Sequence, residues 1–187
     1  SNRGPVCQPQ DPPLRKNQMN DFRTGFIAII GRPNVGKSTL VNALLGQKIA
    51  AVSPKPQTTR KRQLGILTSE SYQLIFVDTP GIHTARHKLG TFLNQEAQES
   101  LEGVDVVLWL VDSSVRPTVE DKQIGLLLNK LPRRTPLVLA ANKMDLLPAE
   151  ALTRNLEAYQ ALVRQDAKVI SISAAQNQNL SELIELL

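Results

Sequence analysis

Gly31, Arg32, Pro33, Asn34, Val35, Gly36, Lys37 and Ser38 carry the spacing G-x-x-x-x-G-K-S/T, and Thr39 follows. The two glycines let a backbone curl around an anion with its N–H groups turned inward. A helix starting behind such a loop adds positive potential at its N-terminus. Lys37 is placed to neutralise β- and γ-phosphates, and the Ser38 hydroxyl to ligate Mg²⁺. The bland alternative is a glycine-rich turn with no ligand. The surroundings argue against it, because the apolar run 26–30 leads into the loop and the helical stretch 37–45 leads out of it.

Three shorter motifs follow. Asp78, Thr79, Pro80 and Gly81 close the run 74–77. A carboxylate at the end of a strand can hold Mg²⁺ through water, and the Gly81 N–H can approach a γ-phosphate. Loss of that phosphate would release the segment behind it. Asn142, Lys143, Met144 and Asp145 follow the run 137–141. Guanine offers N1–H and N2–H₂ as adjacent donors, which one carboxylate accepts together, so Asp145 is the candidate reader. Adenine lacks that pair, and a polar site rejects a base that leaves it unpaired. The Lys143 stem is a candidate cover for the base face, and Asn142 a candidate tie to the phosphate loop. Ile172, Ser173 and Ala174 are small or apolar, and let a backbone N–H reach guanine O6. Each of these three is an ordinary turn or strand end when taken alone. Their order carries the argument. Each falls at the C-terminal end of a candidate strand, the edge where doubly wound sheets bind ligands.

The strands are the runs 26–30, 74–77, 104–111, 137–141 and 169–172, which are rich in Val, Ile and Leu and do not alternate with polar residues. That pattern suits strands buried on both faces. Helical stretches are expected at 37–45, 91–101, 119–131, 150–164 and 180–187, with Thr118 as an N-cap and Asp121 three residues on. Strand and helix in alternation predict an α/β domain with right-handed crossovers. Residues 62–68 are a further strand, antiparallel to 74–77 by hairpin. Residues 1–24 carry four prolines and little apolar content, so they read as a flexible tail before a domain spanning 25–187. The last helix is still apolar on its periodic face at Leu187, so a further C-terminal domain is expected.

Composition narrows the function classes. The chain has 187 residues, 41% apolar and 21% charged, which is globular composition. No apolar run approaches the roughly 20 residues of a membrane span. One cysteine, Cys7, forms no internal disulfide and fits a reducing compartment. Aromatics at 4% argue against a stacking platform for single-stranded RNA. The net charge of +5 is unevenly spread: between Asp21 and Glu70 lie eight cations (among them Arg32, Lys37, Arg60, Lys61 and Arg62) and no carboxylate. A polyphosphate would be repelled by carboxylates there, so the interval reads as an anion site. Trp109 reads as core, and His83 and His87, which have no metal or triad spacing, as surface residues.

The strings GRPNVGKSTLVNALLG, VSPKPQTTRKR, IFVDTPGIH, NKMD and ISA resemble the translation-factor class of small GTPases. Within it they resemble the Era-type bacterial ribosome-assembly GTPases of the TrmE-Era-EngA-like family, over residues 26–187. The resemblance implies a P-loop G domain, an α/β fold whose mostly parallel six-stranded sheet has one antiparallel edge strand and helices on both faces. It implies binding of GTP and GDP and Mg²⁺-dependent hydrolysis of GTP to GDP and phosphate. It implies a role in assembling the small ribosomal subunit with its 16S rRNA, mainly through a C-terminal KH domain that this sequence lacks. The implied location is the cytoplasm, with peripheral membrane association and no transmembrane segment.

Also by resemblance, the stretch from Gln57 to Lys61 is the first switch, where the hydroxyl of Thr58 or, preferably, Thr59 completes the Mg²⁺ shell. The implied metal set is Ser38, Thr59 and Asp78. Lys37, Thr59, Gly81 and Asn34 are the residues expected to act on the transferring phosphate. Ras-like enzymes place a glutamine after the D-x-x-G glycine, whereas Ile82 stands here and can neither orient nor activate water. Relatives with an asparagine at the position of Asn34 coordinate K⁺ there, so K⁺-stimulated hydrolysis is expected; the other reading of Asn34 is a loop-shaping residue. Two alternatives stay open. One is a Der-type GTPase, which usually shows P-G-T-T-R-D where this chain has Lys55, Pro56, Gln57, Thr58, Thr59, Arg60 and Lys61. The other is a nucleotide-gated binding module that hardly turns over, which Ile82 keeps in play.

Overall fold

Hydrophobic runs too short for helices and too continuous for surface strands form the central sheet of the computed structural model, which describes residues 22–47, 62–78, 101 and 103–187. In chain order the described elements are β1 (Arg23–Ile30), α1 (Lys37–Gln47), β2 (Arg62–Thr68), β3 (Tyr72–Asp78), β4 (Val106–Asp112), α2 (Val119–Leu128), β5 (Leu137–Asn142), a 3-10 turn (Met144–Leu146), α3 (Ala149–Gln160), β6 (Lys168–Ser171) and α4 (Leu180–Leu186). The strands form one six-stranded sheet in the order β2-β3-β1-β4-β5-β6. β2 runs antiparallel to β3 as the hairpin requires, and the other neighbouring pairs are parallel.

Several boundaries differ from the sequence expectation. β1 begins at Arg23, inside the stretch read as tail. β4 and β5 each extend by one polar residue, Asp112 and Asn142, because the ladder pairs these two with each other. α2 stops at Leu128 rather than 131, and the Asn129 N–H closes its last turn on the Gly125 carbonyl at 3.0 Å. Pro132 shortly afterwards disfavours helical backbone in the residue before it. α3 ends at Gln160 rather than 164. The stretch 1–21, the first switch with Thr58 and Thr59, and Thr79, Pro80, Gly81, Ile82, His83 and His87 lie outside the described residues. So does the expected helix 91–101, apart from Leu101.

Alternation along β1 builds two cores. Ile27 and Ile29 pack with Leu40, Val41 and Leu44 of α1 and with Leu180 and Leu183 of α4. Ala28 and Ile30 face the other way, toward Trp109, Leu128 of α2 and Tyr159 of α3. Trp109 is fully buried, with its ring edge-on to Tyr159 at 6.1 Å. Burial of each such side chain contributes roughly 1.5–3 kcal/mol. Among the described residues, no helix is long and apolar enough to cross a membrane. The parallel register sets Asp78 beside Ile29 and Asp112 beside Asn142, so the loops after β1, β4 and β5 open on one edge.

Candidate functional site

Close packing shapes the loop between β1 and α1. A Cβ on Gly31 would stand 2.2 Å from the Leu110 backbone oxygen, so any side chain there would push the loop off β4. Gly36 has φ +103°, and a Cβ would stand 2.4 Å from Asn142 Nδ2. Val35 is fully buried and anchors the loop to the core. Asn34 has φ 65°, left-handed backbone that asparagine tolerates better than most residues, in keeping with a loop-shaping role. Pro33, Ser38 and Thr39 are exposed, the last two in the first turn of α1.

Lys37 folds back across this loop. Its Nζ donates to the carbonyls of Gly31 at 2.7 Å and Arg32 at 3.1 Å. Burial pushes its pKa down, and the negative charge of Asp78 pushes back. The lysine and the carboxylate at the end of β3 therefore act on one another across the mouth of the loop. Among the described residues, no group of three or more His, Cys, Asp or Glu side chains could hold a metal. Ser38 and Asp78 suit Mg²⁺ in its usual manner, with few protein ligands and the remaining positions filled by water and phosphate oxygens.

The second half of the site is built around Asn142, which is buried. Its Nδ2 donates to the Val35 carbonyl at 2.8 Å, joining the loop after β5 to the phosphate loop. Its Oδ1 accepts from the Ala174 N–H at 2.9 Å, joining the loop after β6 as well. One amide thus positions three loops. The Ala174 bond qualifies an expectation, because a guanine O6 would have to share that N–H with Asn142. The Ser173 N–H is likewise engaged, by the Gln178 carbonyl at 3.2 Å. The Met144 N–H donates to Ile172 at 3.2 Å and closes the loop around Asp145.

Asp145 carries the feature that points to a base. Among the described residues its buried Oδ1 has no hydrogen-bond partner, while Oδ2 accepts from Gln176 Nε2 at 3.5 Å. A buried carboxylate oxygen without a donor is costly, and a ligand presenting paired N–H groups would satisfy it. Phosphate cradle, ammonium, hydroxyl and orphaned acceptor together fit a guanine nucleotide with Mg²⁺.

Lys143 adopts φ 67°, and its Nζ meets Asp112 Oδ2 at 2.6 Å. Sequence reasoning passed over Asp112, Ser113 and Tyr159, and read Asp121 only as the partner of the Thr118 cap. Ser113 donates through N and Oγ to the Asn142 carbonyl at 2.9 and 2.7 Å. Asp121 forms the expected capping box with Thr118, but it also lies 3.3 Å from Arg32 Nε. The available signal was position: Asp112 closes the most apolar strand on the edge where the motifs gather.

Residues 26–143 match the family described as "50S ribosome-binding GTPase". Among curated relatives, the GTPase Era of Clostridium kluyveri is 45% identical over 166 residues, covering 89% of this chain and 56% of that protein. The GTPase Era of a Nostoc species is 46% identical over 185 residues, covering 98% of this chain and 54% of that protein. The chain spans about half the length of these relatives. Among solved structures, Era in complex with MgGDPNP and nucleotides 1506–1542 of 16S ribosomal RNA superposes with a TM-score of 0.65 at 36% identity, over 88% of this chain and 55% of the other. An Aquifex aeolicus Era variant bound to GDP·AlF₄⁻ gives 0.64 at 37% identity, over 87% and 55%. These matches favour the Era-type reading over the Der-type one.

Proposed function

Because the chain belongs to the 50S ribosome-binding GTPase family, we propose that it binds GTP and GDP with Mg²⁺, hydrolyses GTP to GDP and phosphate, and acts as a switch in assembly of the small ribosomal subunit. The orphaned buried oxygen of Asp145, locked by Asn142 to a phosphate cradle, is the observation that carries the nucleotide assignment. The Era relatives in complexes with MgGDPNP, GDP·AlF₄⁻ and a 16S rRNA fragment support the reaction and the partner.

In this reading the Lys37 ammonium, held by the carbonyls of Gly31 and Arg32, turns to the β- and γ-oxygens when the nucleotide binds. The backbone N–H groups of the loop, Pro33 excepted, and of the first turn of α1 would grip the phosphates. Ser38 and Asp78, with the Thr59 hydroxyl, would hold Mg²⁺, which when bound would supply neutralisation of phosphate charge. Gly81 senses the γ-phosphate through its N–H. Ile82 supplies no water-positioning group, so intrinsic turnover is slow. We assign Asn34 to K⁺ coordination, which would offset charge developing between the β- and γ-phosphates. We place the protein in the cytoplasm. Peripheral membrane association rests on resemblance alone, and cosedimentation with liposomes tests it.

Phosphate release is the test. Mg²⁺-dependent release from GTP, faster in K⁺ than in Na⁺ at matched ionic strength and undiminished by excess ATP, is the expected result. No release above buffer, with tight GDP binding retained, favours the nucleotide-gated binding module. Equal rates in the two salts remove K⁺ from the account. Cosedimentation with small ribosomal subunits that depends on the bound nucleotide tests the partner.

A further inference from the structure

Two carboxylates, one at the end of β4 and one in the first turn of α2, touch no ligand in the reading above, yet they hold the cations of two nucleotide-facing loops. Asp112 is buried, and its Oδ1 accepts from Ser114 N at 3.0 Å and Ser114 Oγ at 2.5 Å. Its Oδ2 takes the Lys143 ammonium at 2.6 Å and lies 3.9 Å from the Arg32 guanidinium of the phosphate loop. Asp121 stands behind it, fully buried, and accepts from Thr118 N at 2.9 Å and Thr118 Oγ1 at 2.8 Å. Arg32 Nε lies 3.3 Å from the same Asp121 oxygen, an ion pair without hydrogen-bond alignment. The Tyr159 hydroxyl closes the group, 3.1 Å from the Asp112 carbonyl and 3.3 Å from Asp121 Oδ2.

We propose that Asp112 is a positioning residue that pins Lys143 in the conformation that covers the base, and so sets how long a guanine nucleotide stays bound. This rests on the guanine reading of the site. A lysine head without a partner samples many rotamers, and nucleotide binding would have to order them at an entropic cost. With its head fixed on Asp112, the stem of Lys143 is already ordered before the base arrives. Lys143 also sits in left-handed backbone, at φ 67°. Such a residue keeps its conformation only where its surroundings over-determine it, and the ion pair supplies one of those constraints. Burial alone would raise the Asp112 carboxyl, but hydrogen bonds from Lys143 and Ser114, with the charge of Lys143, hold it below its ordinary value. The pair is therefore charged at neutral pH. Arg32 extends the device to the phosphate loop, so the base and phosphate halves are joined by charge as well as by Asn142.

The test is dissociation of a fluorescent GDP from the full chain by stopped flow, with urea unfolding of the nucleotide-free protein alongside. Asp112→Asn should speed release roughly tenfold, as expected for loss of a charge-assisted hydrogen bond. It should leave the preference for GDP over xanthosine diphosphate unchanged. In a Lys143→Met background the same change should add less than about twofold, because the partner is already gone. Asp112→Glu, which keeps the charge, should recover part of the residence time. Release within twofold of wild type for Asp112→Asn overturns the proposal. So does equal acceleration in both backgrounds, which marks a pair that only holds the fold. If Asp112→Asn does not fold, Ser114→Ala removes one donor while leaving the ion pair. It should speed release several-fold in a Lys143-dependent manner, and an unchanged rate counts against the proposal. Asp145→Asn run in parallel separates the two levels: if it fails to shift preference toward xanthosine diphosphate, the guanine reading falls. If it shifts while Asp112→Asn is silent, only the positioning role falls.

Discussion

Replacing Asn142 with alanine removes a single side-chain amide and disconnects three loops. The amide donates to the Val35 carbonyl at 2.8 Å and accepts from the Ala174 N–H at 2.9 Å, and Asn142 is only 3% exposed. Both partners are left without a bond in a site that water reaches poorly. Each orphaned backbone group costs about 1–3 kcal/mol, so with two of them Asn142→Ala should destabilise by roughly 2–6 kcal/mol. For a domain of this size that corresponds to a fall in Tm on the order of 4–24 °C. The protein should still fold, since the two cores on either side of the sheet are untouched. GDP affinity should fall further than stability alone explains, because the phosphate cradle and the base pocket are no longer held in register. Urea unfolding with and without GDP measures both quantities. A loss below about 0.5 kcal/mol, with GDP binding unchanged, would refute the claim that this amide couples the loops.

Three further outcomes follow from the geometry. Gly31→Ala places a Cβ 2.2 Å from the Leu110 carbonyl, and backbone must move; a cost of roughly 1–3 kcal/mol and a loss of GDP binding are expected by calorimetry. The Asp112 carboxyl is held below its ordinary value, so its ion pair contributes fully above the normal carboxylate range and is lost as pH falls through the lowered value. The stability gap between wild type and Asp112→Asn, from urea unfolding at neutral and acid pH, should therefore shrink toward acid; a constant gap contradicts it. Tyr159→Phe removes a hydroxyl bonded to the Asp112 carbonyl and Asp121, and should cost about 0.5–1.5 kcal/mol in thermal unfolding while preserving the edge-on contact with Trp109.

What could be read from sequence was local. Gly31, Gly36, Lys37 and Ser38 sit within one loop and turn, so spacing alone carried their geometry. Thr118 and Asp121 form a capping box, another short-range pattern. The antiparallel β2–β3 pair followed from a hairpin too short for a crossover. The order of the strands and the charge group around Asp112 were not legible, because they depend on residues brought together from distant parts of the chain. Asp112 meets Lys143 across 31 residues, and Asp121 meets Tyr159 across 38. A lone aspartate after an apolar strand has no spacing that distinguishes it from a turn residue. Asn142 and Asp112 also read as loop residues, since polar side chains in a buried ladder run against the strand pattern until their loop partners are known. The Ala174 N–H looked available for a base because nothing in the sequence pairs it with Asn142.

The central claim is that Asp145 selects the base. Calorimetric titration of GDP and xanthosine diphosphate into wild type and Asp145→Asn tests it most directly. Wild type should take GDP and reject the xanthine nucleotide, and the variant should reverse that preference, since an amide can donate where the carboxylate only accepts. Undiminished GDP binding by Asp145→Asn, with no gain toward xanthosine diphosphate, would contradict the account.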